Sequence, residues 1–349
     1  MKHIARTAGL LCLSVSLSSS LWATKLVTYS HRGEVRLGAY EDDAVIDLNR
    51  AYALMLREQG KPRAEALAAA LVPPSMMEFL QGEEESIRVA LEAIRFVKQQ
   101  AARPGGTEKL KQAGVWFLRN EVVLKAPVPN PPHLLAIGLN YRAHVEEIDR
   151  GFAQPIQTGT GEPSYPVVFT KEGAIIGPGE TIRIPPVVEQ PDYEGELAVV
   201  IGKPTRHVTR ERALDYVAGY MIFNDVSARD LQSRVSQWTM GKSPDTFSAM
   251  GPYLVLKDEV PDPQALAIRT RIGSEVLQDS STSRMIFSVA VLIEHISQVM
   301  TLTPGTVITT GTPEGVGAGR KPPRWLRPGE TIVVEVEKLG ELANPIARE

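Results

Sequence analysis

The chain has 349 residues, 38 Lys and Arg against 41 Asp and Glu for a formal charge of −3, and a single Cys. With 43% hydrophobic and 23% charged residues its usage is that of an ordinary globular protein, which excludes a disordered or collagen-like chain. One Cys forms no internal disulfide and builds no thiolate zinc or iron–sulfur site, and a slightly acidic balance without a basic run argues against nucleic acid as a partner.

Lys2 and Arg6 precede an apolar run from Ala8 to Leu17 and the Ser-rich exit Ser18-Ser19-Ser20-Leu21-Trp22-Ala23. That order reads as a secretory signal peptide over residues 1–23, so an exported, periplasmic mature protein is expected. The alternative is a cytoplasmic protein with a mis-assigned start codon, because Lys25-Leu26-Val27-Thr28-Tyr29 already looks like a first strand. Neither the leader nor any later segment reaches the ~18 uninterrupted apolar residues of a membrane helix, so no membrane association is expected after leader removal. Removal takes Lys2, Arg6 and Cys12, leaving 36 basic against 41 acidic residues and no thiol.

Residues 24–128 read as a small α+β domain. Apolar–polar alternation over 25–47, between the turn signals Arg32-Gly33 and Glu41-Asp42-Asp43, predicts three short strands. Leu54, Leu56, Ala64, Leu67 and Leu71 recur at helical spacing, and Pro73-Pro74 interrupts a helical stretch that runs over 50–101. Residues 115–118 and 122–124 predict a strand pair. The run Pro127-Val128-Pro129-Asn130-Pro131-Pro132 lacks ladder donors and marks a boundary. Residues 129–349 are strand-rich, with strands expected at 134–138, 167–170, 181–184, 196–201, 217–223, 253–256, 267–271, 307–310 and 332–336, and one helix at 285–300. The expected fold class is α+β and β-rich.

Three stretches carry possible chemistry. In Asp192-Tyr193-Glu194-Gly195-Glu196, a strand would point both Glu side chains to one face, just before a five-residue apolar run. Adjacent carboxylates repel unless a proton or cation neutralises them, and a hard divalent ion such as Mg2+ or Mn2+ takes oxygen ligands; the alternative is a solvated strand end. In Asn224-Asp225-Val226-Ser227-Ala228-Arg229-Asp230-Leu231-Gln232 an apolar strand ends in an Asp before a Ser-led helix start. Asp225 is either a third carboxylate ligand or a helix cap. In Gly138-Leu139-Asn140-Tyr141-Arg142-Ala143-His144-Val145-Glu146-Glu147, His144 and Glu147 are neighbours on one helical face. They form either an acid–base pair or a surface pair. The Gly- and Thr-rich segment 151–164 reads as a lid. The loop 309–317 lacks the ending of a P-loop, and no Gly-x-Ser-x-Gly elbow or His-Glu-x-x-His is present.

Together with Gly241-Lys242-Ser243 and Thr310-Gly311-Thr312-Pro313-x-Gly315-Val316-Gly317, these stretches resemble the fumarylacetoacetate hydrolase family, co-linearly over roughly 130–349. The resemblance implies a β-roll or sandwich-like catalytic domain over 129–349, a homodimer, and Mg2+ or Mn2+ held by Glu194, Glu196 and Asp225. It also implies His144 with Glu147 as the catalytic dyad, and Arg229, Gln232, Lys242 and Thr310 around the substrate. Pro244 departs from the family's Lys-Ser-Phe run.

On this expectation the protein hydrolyses a carbon–carbon bond of a 2,4-dioxo acid of the acylpyruvate or fumarylpyruvate kind, with a place in aromatic catabolism. His144 would activate water, and Lys242 would stabilise the departing enolate. The same site also suits an isomerase, decarboxylase or dehydratase of an oxo or hydroxymuconate-type acid. A non-catalytic oxo-acid-binding protein is the remaining alternative.

Overall fold

The computed structural model describes residues 24–151 and 161–349. The leader over 1–23, with Cys12, and most of the expected lid segment lie outside the described residues.

The fold is α+β and strand-rich. One sheet has the path Trp116–Leu118, Ala44–Asp47, Glu34–Glu41, Lys25–His31, Ser248–Leu256, Val217–Asp225, Gly195–Ile201, Val307–Thr309, Leu134–Gly138, Val167–Thr170. A five-stranded sheet runs in the order Glu275–Ser281, Ala267–Ile272, Thr331–Val336, Gly340–Arg348, Ile182–Ile184. Every strand expected from the pattern has an observed counterpart. The strands at 275–281 and 340–348, together with two-residue strands at 175–176, 191–192 and 227–228, are ones that short, mixed-polarity alternation did not signal. The expected helix at 285–300 is shorter, Val289–Ser297, because Ser288 caps it through its side chain to Val291 N.

The expected pairing of 115–118 with 122–124 is corrected. Both strands form, but Trp116–Leu118 pairs with Ala44–Asp47 and Val123–Lys125 pairs with Lys25–His31. The large sheet crosses the Pro-rich segment at 127–132, since Lys25 and Leu26 pair with Val255 and Leu254.

Two-residue alternation explains how the central strand Gly195–Ile201 is buried along its whole length. Leu197, Val199 and Ile201 enter an apolar cluster with the five-stranded sheet and helix Val289–Ser297. Ala198 and Val200 enter another with the helices Leu48–Glu58 and Glu83–Ala101. Full burial of a Leu, Val or Ile contributes about 1.5–3 kcal/mol. Such terms offset the several kcal/mol that each buried ion costs at the strand's entrance.

Candidate active site

Glu194 and Glu196 stand at the start of that central strand, two residues apart and on one face. The antiparallel neighbour supplies the third carboxylate: Gly195 pairs with Asn224, and Asp225 N donates to Glu194 O at 2.9 Å. Cross-strand register therefore sets Asp225 opposite Glu194. One oxygen from each of Glu194, Glu196 and Asp225 lies within 4.8 Å of the others, and all three residues are buried. Asp225 ends the strand Val217–Asp225 and caps no helix. Ser227 does not start one either: its hydroxyl donates back to Asp225 O, and the single-turn helix Arg229–Gln232 has Ala228 at its N-cap.

Cations crowd two of the three carboxylates. Lys242 Nζ donates to Glu194 Oε2 at 2.6 Å and to Asp225 Oδ2 at 2.8 Å, and Lys171 Nζ donates to Asp225 Oδ1. Arg229 pairs with Glu194 Oε1 at 2.6 Å and with Asp192 Oδ2 at 2.8 Å, and its Nη1 donates to Gln232 Oε1. Asp192, Glu194, Glu196 and Asp225 thus face Lys171, Lys242 and Arg229, and the surplus negative charge falls on Glu196. Among the described residues no cation reaches ion-pair distance of it. Glu196 Oε2 accepts from Gly311 N at 2.8 Å, while buried Oε1 makes no hydrogen bond. The Thr309 hydroxyl faces it short of full hydrogen-bond geometry, near enough to favour the charged form of Glu196 but not enough to offset burial and repulsion. Gly311 has φ +89°, and a Cβ there would sit 2.8 Å from Asn140 Cβ, so this backbone donor requires glycine.

The electrostatics follow. Burial, then repulsion by Asp225 and Glu194, pushes Glu196 well above the usual carboxylate range. Burial also works against a charged Glu194, but Lys242 and Arg229 outweigh it and hold the carboxyl below that range. Burial pulls Lys171 down against the attraction of Asp225, whereas Asp225 and Glu194 overcome burial and raise Lys242. An unbonded buried carboxylate oxygen and an all-oxygen donor set fit a hard divalent cation.

A pH dependence follows with a definite sign. A raised Glu196 contributes stability below the ordinary carboxylate range, and that contribution is lost as pH rises through its folded value. Glu194, held low, contributes above that range and loses its part only in stronger acid. With chelator present, Tm is therefore expected to fall as pH rises from the carboxylate range toward neutrality. Glu196→Gln flattens that decline, and added Mn2+ reverses it; thermal melts at a series of pH values read all three.

The helix Arg142–Gly151 brings His144 and Glu147 to the same region. His144 is buried, and its Nδ1 lies 3.3 Å from Glu147 Oε2. Glu147 is fixed from the other side by Gly315 N, 3.1 Å from both its oxygens. Asn140 ties the start of this helix to the loops beside the triad, donating to Thr310 O at 2.7 Å and accepting from Phe287 N at 2.8 Å. Leu139, a non-glycine residue at φ +57°, makes the sharp turn from strand Leu134–Gly138 into the helix, a strain suited to a functional corner.

Lys242 and Arg229 meet the triad directly, whereas Gln232 meets Arg229. The Thr310 hydroxyl donates to Leu197 O at 2.9 Å. Pro244 turns its carbonyl to Phe247 N, and Phe169 supplies an aromatic ring 5.3 Å from Lys242 Nζ. Sequence reasoning missed Lys171, because a Lys following a short alternating strand reads as solvated. It assigned no role to Asp192 or Tyr141. The Tyr141 hydroxyl is buried without a hydrogen-bond partner, and burial with the charges of Glu196 and Glu314 pushes it up.

Three buried carboxylates, one of them without a cation at ion-pair distance among the described residues, beside a histidine held by a glutamate, define a class of sites able to hold a hard divalent cation against an anionic ligand. The family described as fumarylacetoacetate (FAA) hydrolase C-terminal matches residues 133–347, and the chain belongs to that family. The oxaloacetate tautomerase YisK of Bacillus subtilis (strain 168) is 37% identical over 309 residues, 88% of this chain and 94% of that protein. The fumarylacetoacetate hydrolase (EaFAH) of psychrophilic Exiguobacterium antarcticum superposes with TM-score 0.70 at 33% identity, covering 94% of this chain and 100% of that one. A 5-carboxymethyl-2-hydroxymuconate delta-isomerase from Mycobacterium smegmatis gives TM-score 0.65 at 30% identity, covering 93% and 100%. The relatives are enzymes, and their names span tautomerisation, isomerisation and hydrolysis.

Proposed function

We propose that the protein is a keto–enol tautomerase of a 2-oxo dicarboxylic acid of the oxaloacetate class, dependent on Mg2+ or Mn2+. The observation that carries this reading is the buried Glu194–Glu196–Asp225 triad with its unbonded Glu196 oxygen, set beside the His144–Glu147 pair. Similarity to an oxaloacetate tautomerase and to a hydroxymuconate isomerase supports proton transfer without bond cleavage as the reaction.

A divalent ion held by the triad would supply positive charge for the carboxylate and 2-oxo oxygens of the substrate. His144 moves the proton: Nε2–H is given to C3 of the enol, the C2 hydroxyl proton passes to water, and a proton from water restores Nε2–H; the reverse sequence regenerates the enol, with no atom gained or lost. Glu147, on Nδ1, orients the ring and steadies its charged form. Arg229 and Lys242 keep Glu194 ionised.

A second reading is hydrolysis of a 2,4-dioxo acid to a 2-oxo acid and a carboxylic acid, with the same histidine directed at water. The likeness to a fumarylacetoacetate hydrolase at TM-score 0.70 favours it. One assay separates the two. The ion-loaded protein is given enol oxaloacetate and, in a separate tube, an acylpyruvate, and the products are read by proton NMR. Faster loss of the enol with an unchanged carbon skeleton is expected. Cleavage of the acylpyruvate without acceleration of the enol would transfer the assignment to the hydrolase.

A further inference from the structure

The turn over residues 315–319 touches both halves of the site. On one side Asp192, fully buried and two residues before Glu194, accepts from Gly317 N at 2.7 Å and from Ala318 N at 3.1 Å, while its Oδ2 also holds Arg229. The Tyr193 hydroxyl donates to Gly315 O at 3.0 Å. On the other side Gly315 N donates to both oxygens of Glu147. Gly319 lies flat against the same side chain, so that a Cβ built on it would overlap the Glu147 carboxyl group. Gly319 is not among the positive-φ glycines, so alanine there brings a steric conflict with Glu147 and no backbone strain.

We propose that this turn is a latch that sets the helix Arg142–Gly151 on the triad, with Asp192, on the short strand just before Glu194, as its anchor and Gly319 a positioning residue for the His144–Glu147 pair. Charge-assisted hydrogen bonds from two backbone N–H groups to a buried carboxylate fix one end of the turn. At the other end Gly319 leaves no room for a methyl group beside a Glu147 carboxyl that Gly315 N and His144 already hold in place, and that restraint turns the overlap into a displacement of the helix. Misplacement of a reacting group by about 1 Å is enough to cost about 100-fold in rate. The consequence for catalysis rests on the proton-transfer role proposed for His144 and Glu147; the consequence for the helix does not.

The experiment compares wild type, Gly319→Ala, Glu147→Asp and the double variant, all as full chains. Amide exchange of residues 142–151, Mn2+ affinity by electron paramagnetic resonance, and kcat and KM on enol oxaloacetate are read. Gly319→Ala is expected to speed exchange in that helix while strand 195–201 stays protected. It should lower kcat about 100-fold and leave Mn2+ affinity and KM within about twofold. Because Asp is one methylene shorter, the double variant should regain at least about tenfold of the lost kcat, a coupling that general destabilisation does not produce. Asp192→Asn should loosen the amides of 317 and 318 from the anchor end. Wild-type helix exchange in Gly319→Ala, or no recovery in the double variant, would overturn the latch. Faster helix exchange with unchanged kcat would keep the latch and overturn the role of the His144–Glu147 pair.

Discussion

Glu196→Gln is expected to weaken divalent-cation binding by at least about 100-fold and to abolish turnover, since even outer-sphere changes at such centres cost 10–100-fold. Glu196 is the triad carboxylate whose charge the protein leaves least compensated, with one oxygen on Gly311 N and the other unbonded. The amide keeps the shape and removes the charge that a cation would neutralise. The variant should therefore fold, and its metal-free form should be at least as stable as wild type at neutral pH, because the repulsion with Asp225 and Glu194 is gone. Calorimetric titration with Mn2+ and a chelator-treated melt read both effects. Retention of wild-type Mn2+ affinity would remove Glu196 from the ligand set.

His144→Ala should lower kcat by roughly 10²–10⁴, the range of a positioned acid–base group, and leave Mn2+ binding nearly unchanged. The imidazole is buried and bonded to Glu147, and it is carried by the helix Arg142–Gly151 rather than by the strands that present the triad. Glu147→Gln should give a smaller loss, because the neutral amide still orients the ring but no longer steadies its charge. Steady-state rates beside Mn2+ titrations separate these effects. Wild-type turnover in His144→Ala would place the proton transfer on another group, with Tyr141, buried and unbonded beside Glu196, next to be examined.

The parts of the site legible in the sequence share a local cause. Glu194 and Glu196 share a face through strand alternation, and His144 and Glu147 meet through helix spacing, so both pairs could be paired on paper. Asp225 had two local readings, ligand or helix cap, and only the family resemblance set it with the triad; what places it there physically is the cross-strand register with Gly195 and Asn224, which no local pattern states. Lys171 was illegible for the same reason: it follows a short strand, and its burial comes from Asp225 and Val226, more than fifty residues away. The continuation of the large sheet across the Pro-rich segment likewise depends on a pairing between Lys25 and Val255. The paired reading of 115–118 and 122–124 failed because a hairpin is the default when two short strands adjoin. Here Arg119–Glu121 forms a 3₁₀ turn, and each strand finds a different partner.

The central claim is that a divalent ion on the triad and a proton on His144 together interconvert the enol and keto forms of an oxo dicarboxylic acid. The ultraviolet decay of enol oxaloacetate tests it most directly, followed with chelator-treated protein before and after Mg2+ or Mn2+ is restored. The prediction is a decay at the solvent rate in chelator and a large acceleration on adding the ion, with Glu196→Gln and His144→Ala both remaining at the solvent rate. Acceleration that is the same with and without the ion, or none in either state, would contradict it.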